Sequence, residues 1–261
     1  MNDIPLINRL VGSPCCLGKM PIDELFPAYQ KLGFRKYEAF SQAMACRHPW
    51  TGDPVADREY AASFGLQITS YHLPMIGEEI DAGVADALAA ARYAARVGDN
   101  VAVLFKAASR DIFAQVGKPF LDAIESEGLD VVPVVQNHKG TAITTLDDYR
   151  EVLDRIDDSR LKGILEVGHF QRVGVSWKEG WEMLGERLAL IHVNEIRGDE
   201  SVHYGTGEVD FPGLMKQIKT SGYDGNIVVE LELANRTEAP QETLEGLANA
   251  IDLLCRLYSE A

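Results

Sequence analysis

The chain has 261 residues, 46% hydrophobic and 25% charged, a balance that supplies a full buried core and argues against a disordered or fibrous protein. Forty acidic against 25 basic side chains leave a formal net charge of -15, which argues against nucleic-acid binding because surplus carboxylates oppose every Lys or Arg contact to phosphate. No apolar run approaches the about 18 residues of a membrane span, and MNDIPLINRL has no basic segment leading into a long apolar one, so neither membrane partner nor secretory leader is expected.

Short apolar, β-branched runs alternate with longer segments of helical period, the pattern of parallel strands joined by crossover helices. In chain order the eight expected strands are 7–13, 36–40, 66–72, 101–105, 131–136, 163–167, 188–194 and 226–233, with eight helical stretches between or after them. Pro21 with Asp23 and Glu24 opens one helix and Thr145 with Asp147 and Asp148 another; Gly33 and Gly65 stand at expected C-caps. The Ala-rich stretch 84–97 is the clearest amphipathic helix. Cys15, Cys16, Cys46 and Cys255 lack metal-finger or redox-pair spacing, so a reduced, cytoplasmic protein is expected. One (β/α)8 barrel over 1–261, an α/β fold, accounts for the whole chain.

In such a barrel chemistry gathers at the C-terminal ends of the strands. The fifth strand runs into Gln136, Asn137 and His138, the sixth into Glu166 and His169, the seventh into His192, Asn194 and Glu195, and the eighth ends in Glu230 and Glu232. Four successive apolar strands ending in acids, amides or imidazoles exceed what turns require, and these side chains are ligands for a divalent cation. Glu230 and Glu232, two apart, share one face of a straight strand. His203 precedes GTGEVDF, whose glycines permit a tight loop over the site mouth, while Asp210 caps the next helix.

The segments LGFRKYEAF (32–40), GLQITSYHLP (65–74), VVQNHKG (134–140), LEVGHF (165–170), IHVNEIRG (191–198), GTGEVDF (205–211) and GYDGNIVVELE (222–232) resemble the xylose isomerase-like superfamily of sugar isomerases and epimerases. The resemblance implies a xylose isomerase-like TIM barrel binding one divalent ion, Mn²⁺ before Mg²⁺ or Zn²⁺, through Gln136, Glu166, His192 and Glu230. It implies Glu230 as base, His138 and His169 as substrate contacts or second acid and base with ordinary values near 6.5, and His72 and Glu38 at the substrate pocket. Arg197 is a candidate for a substrate hydroxyl, carboxylate or phosphate, and Trp50 for a lid or sugar-stacking aromatic. The implied partner is a small sugar or keto-sugar, and a homo-oligomer is compatible with the resemblance.

Two implied ligands depart from the family, which has Glu where Gln136 stands and Asp where Glu166 stands. Glu166 keeps the charge on a longer arm. Gln136 offers only a neutral carbonyl, weakening attraction for a cation, and cannot serve as a base. A symmetric two-glutamate epimerase mechanism is therefore disfavoured against one-base isomerisation, a His-assisted route, or elimination from a keto-sugar or inosose. A barrel that binds a ligand without catalysis is a further class, supported mainly by Gln136. The related apurinic endonucleases fit poorly: the fourth strand, VAVLFKA, has no terminal His, and Ser201 stands where an Asp before His203 is expected.

Overall fold

The structure is a computed structural model describing residues 5–261, so residues 1–4, part of the segment read for a leader, lie outside the described residues. Eight parallel strands close into a barrel: β1 (Leu10–Gly12), β2 (Lys36–Phe40), β3 (Gln67–His72), β4 (Val101–Leu104), β5 (Val131–Gln136), β6 (Lys162–Glu166), β7 (Leu188–Asn194) and, after a small antiparallel pair β8 (Ile196–Arg197) and β9 (Glu200–Ser201), β10 (Asn226–Glu230). Their order round the barrel is β1-β10-β7-β6-β5-β4-β3-β2. Nine helices follow among the described residues: α1 (Ile22–Leu32), α2 (Pro54–Ser63), α3 (Ile80–Val97), α4 (Arg110–Ser126), α5 (Leu146–Ile156), α6 (Val167–Gln171), α7 (Trp177–Leu184), α8 (Phe211–Ser221) and α9 (Pro240–Glu260). None is long and apolar enough to cross a membrane.

Local chemistry explains these boundaries. Thr145 and Asp148 form a reciprocal capping box at α5, Asp210 accepts from Gly213 N at 2.9 Å to cap α8, and Gly33 ends α1 at φ +89°, where a side chain would be strained. The first strand is shorter than expected: Leu6–Arg9 forms a 3-10 turn, and Pro14 opens another straight after Ser13, with no N–H to extend the ladder. The last strand stops at Glu230 rather than 233, because Leu231 N turns to Cys16 Sγ (3.2 Å) and Glu232 N to Ser201 Oγ (3.1 Å). The ninth helix arises where the segment after β6 divides into α6 and α7 around Gly174, at φ +72°.

Two apolar clusters hold the fold. The larger fills the layer between strands and helices, and the smaller joins Val11, Ala102, Leu104, Val134, Ile164, Leu190 and Val228 from six barrel strands. Burying each such side chain contributes about 1.5–3 kcal/mol. Because side chains alternate along a strand, the residue two beyond each member faces the same way. From Val11, Leu104, Val134, Ile164, Leu190 and Val228 that step reaches Ser13, Lys106, Gln136, Glu166, His192 and Glu230.

β5 and β6, which carry two of these residues, are pinned by the buried Tyr149 hydroxyl: it donates to Val135 O and Ile164 O and accepts from Ile164 N at 3.0 Å. Removing it leaves buried backbone groups unpaired, at about 1–3 kcal/mol. Tyr149→Phe is therefore expected to lower the urea midpoint by a corresponding amount; an unchanged midpoint would show that other partners replace the hydroxyl.

Candidate metal centre and active site

The mouth of the barrel concentrates ionisable groups. The Glu38, Glu166 and His192 side chains are fully buried and Glu230 is 7% exposed. His192 stands at the centre: Nδ1 lies 3.2 Å from Glu166 Oε2 and 3.3 Å from Glu230 Oε1, while Nε2 lies 3.3 Å from Glu38 Oε1. Gln136 Nε2 reaches Glu166 Oε2 at 3.2 Å and His192 Nδ1 at 3.5 Å. Asn137 clasps the end of β6, donating to Glu166 O at 2.9 Å and accepting from Glu166 N at 3.0 Å.

Each group resolves its charge differently. Burial opposes the imidazolium of His192, but Glu38, Glu166 and Glu230 outweigh it and raise its pKa well above the ordinary value. Burial also opposes ionisation of Glu38, yet His192 and His72 hold its carboxyl well below the usual range; hydroxyls of Ser13 (2.9 Å) and Ser70 (3.2 Å) donate to it as well. Glu166 is likewise lowered against its burial, chiefly by His192, and accepts from Gly168 N at 3.2 Å. Glu230 goes the other way: burial, then repulsion from Glu166, pushes it up to about 8.

A cavity of about 940 Å³ opens onto this cluster, lined by Gln136, Glu230, Glu232, His72, His138 and His169 on its polar side and by Phe40, Met75, Leu104 and Phe113 among its apolar walls. The His138 and His169 rings lie against each other at a tilt of 35°, centroids 3.6 Å apart. Burial pushes His169 down to about 4, so the ordinary value expected from sequence does not hold. Its Nδ1 accepts from Lys139 N at 3.3 Å, which leaves Nε2 to carry the proton of the neutral ring. His72 stacks on Phe40 at 3.7 Å, and burial pushes it too to about 4.

Of the other sequence candidates, Glu38 lies behind the cavity lining, against His192 and His72. Trp50 packs on the core outside that lining, and Arg197 is exposed, with its guanidinium on the backbone carbonyl of Thr206. The GTGEVDF loop is tied down by buried Glu195, which accepts from Gly205 N (3.0 Å) and Val209 N (3.2 Å); a Cβ on Gly207 would come within 2.3 Å of the same carboxylate. Sequence inspection passed over Lys106. It lines the cavity just beyond β4, and desolvation lowers it to about 8 against the pull of Glu38. The signal was available, since Lys106 stands two residues after inward-facing Leu104.

The donor chemistry fits a divalent cation. Glu38, His192 and Glu230 bring one ligand atom each within 4.8 Å of one another, and buried carboxylates outnumber the cations beside them. Both nitrogens of His192 border carboxylates, but Glu38 is already engaged by two serines, whereas the Nδ1 side adjoins Gln136 and Glu230 on the cavity wall. Glu38, His192 and Glu230 are the donors that come together in this way, while Glu166 and Gln136 stand beside His192 Nδ1.

A barrel of this connectivity with a carboxylate–imidazole cluster at its strand ends defines the class of protein. A family model described as xylose isomerase-like TIM barrel matches residues 26–253, and the chain belongs to that family. An uncharacterized protein of Methanocaldococcus jannaschii is 25% identical over 139 residues, covering 45% of this chain and 46% of its own length, so the chain spans about half of that relative. Among solved structures, an L-ribulose 3-epimerase is 13% identical with a TM-score of 0.75 (97% of this chain and 95% of that one covered). The IolI protein with a binding zinc atom is 14% identical at 0.74 (96% and 99%), and the probable 3-DHS dehydratase AsbF of Bacillus anthracis is 13% identical at 0.72 (92% and 99%). Identities this low establish the shared fold alone.

The proton inventory gives a signed expectation. At pH 7 the ion-free cluster holds protons on Glu230 and His192, and a cation must displace them. Uptake of Mn²⁺ is expected to release protons, and affinity to rise as pH climbs toward 8; calorimetry in buffers of differing ionisation heat measures both, and heats independent of buffer would contradict the assignment. Gln136→Glu is expected to tighten Mn²⁺ binding on the order of 10–100-fold, the range that even outer partners of a metal command. The same change should lower the melting temperature of the ion-free protein by adding a buried charge. Unchanged Mn²⁺ affinity would show that residue 136 lies away from the cation.

Proposed function

We propose that the chain is a divalent-metal-dependent sugar or keto-sugar isomerase or epimerase that removes a proton from the carbon beside a polarised carbonyl. The observation that carries this reading is Glu230: a carboxylate at the edge of a cavity large enough for a monosaccharide, beside His192 and adjoining the cluster able to hold the ion. Placed there, it can accept a proton from the carbon of a bound substrate. The cation, with Mn²⁺ ranked ahead of Mg²⁺ and Zn²⁺ by resemblance, would supply carbonyl polarisation.

The remaining groups fit substrate handling. Neutral His169 offers Nε2–H to a hydroxyl, and His138, lying against it, presents a second ring at the same wall. Phe40 and His72 form a flat surface at the opposite side of the cleft, and the apolar walls reduce competing water. Names of structural relatives, an L-ribulose 3-epimerase among them, support ketoses as first candidates.

Elimination is the second reading. Loss of a β-hydroxyl from a keto-sugar or inosose begins with the same proton abstraction, and His138 and His169 on the cavity wall are candidate partners for the departing hydroxyl. One preparation separates the classes: metal content is measured, the ion is chelated and Mn²⁺ restored, and products from a panel of ketoses, keto-sugars and inososes are resolved by NMR. Turnover that vanishes on chelation and returns with Mn²⁺ is expected, and Glu230→Gln should lose at least about 100-fold in kcat. Ligand binding without turnover, indifferent to chelation, would instead identify a binding protein.

A further inference from the structure

Inversion at a carbon needs proton carriers on both faces, and Gln136 has no titratable group. The closed strand order places β4 four positions from β10 in either direction, so their C-terminal ends face each other across the mouth. Lys106 follows β4, Glu230 ends β10, and both line the same cavity. Leu104 pairs with Val134 at the end of β4, and Lys106 and Gln136, each two residues further along the chain, both line that cavity; Gln136 is the position where the family's carboxylate is missing.

Lys106 is also the uncommitted cation of this wall. Arg110, its neighbour in the lining, is held by Asp148 and Glu151 at 2.7 Å each, whereas among the described residues Lys106 Nζ has no acidic group within ion-pair distance. A half-buried ammonium with no ion-pair partner loses hydration that the more distant Glu38 offsets only in part, and a bound molecule can supply the missing partner.

Resting on the isomerase or epimerase reading above, we propose that Lys106 is the second acid–base group of this site, exchanging a proton with the face of the substrate carbon opposite Glu230. In one direction the Glu230 carboxylate takes the proton from the carbon beside the carbonyl. The C–H electron pair becomes the enolate double bond, and the carbonyl oxygen receives the displaced π pair. The Lys106 ammonium then gives a proton to the opposite face, the carbonyl re-forms, and the centre is inverted. Lys106 is left as the amine and Glu230 as the acid, each exchanging with solvent before the next cycle. Desolvation supports the assignment by bringing the amine to about 8, within reach of both protonation states at neutral pH.

The test uses Mn²⁺-restored protein in D₂O with D-tagatose, D-psicose and L-ribulose, following deuterium in recovered substrate and epimer formation by NMR. Wild type is expected to do both. Lys106→Met and Lys106→Arg should keep deuterium wash-in through Glu230 within about threefold while epimer formation falls about 100-fold or more. Metal content and melting temperature serve as folding controls, and Lys106→Arg, which keeps the charge, carries the test if Lys106→Met is unstable. Restored epimer formation in Lys106→Arg, a parallel loss of both signals, or no loss at all would overturn the role of Lys106 while leaving the parent reading intact. A wild type that makes only the aldose by one-base transfer would overturn it too. Absence of wash-in from any ketose would bring down the parent reading itself.

Discussion

Three carboxylates and an imidazole converge where water is almost excluded, and the architecture around them is arranged to make that tolerable. Like charges about 4 Å apart repel by about 4 kcal/mol at an effective dielectric near 20. Glu38 is relieved by Ser13 and Ser70, and Glu166 by Gly168 N and the Gln136 amide. His192 lies within 3.3 Å of all three acids. Among the described residues the Glu230 carboxylate has His192 alone as a polar partner, and it is the acid whose pKa is pushed up.

The barrel supplies this arrangement through one geometric rule. Side chains alternate, so a strand that places Val134 or Ile164 in the inner core must present Gln136 or Glu166 two residues later at the mouth. Distant parts of the chain then meet without any one loop having to build the site. Tyr149 and Asn137 lock the ends of β5 and β6, keeping the amide and carboxylate in register. Positioning of this kind is what a charged cluster requires, because a small displacement changes every term in it.

Most of the fold was legible because period-two apolar runs and helix caps are local signals: the expected 36–40, 131–136 and 188–194 coincide with β2, β5 and β7. Strand ends were harder, since Pro14 and the turn of Leu231 toward Cys16 depend on neighbours remote in sequence. That Gln136, Glu166, His192 and Glu230 belong at the barrel mouth was readable from their places at strand ends, and their grouping as one set from the family resemblance. The states of His169 and His72 were not, because burial sets them and burial is a property of the whole fold. Trp50 and Arg197 looked functional by residue type, yet their surroundings direct one to the core and the other to a backbone carbonyl. Lys106 escaped notice for the converse reason: β4 was searched for a histidine, and the same geometric position in fact carries a cation.

Gln136 gains its meaning from those neighbours. A glutamate there would add a fourth carboxyl to a cluster whose fixed hydrogen-bond donors are already allotted. The amide instead donates to Glu166 and approaches His192 without adding charge, so the ion-free protein faces less internal repulsion. On the proposed reading the cost is a weaker hold on the cation and the loss of one base, and both follow from replacing a single oxygen by nitrogen; Lys106, just beyond β4 and on the same cavity, is the group proposed to make good the second.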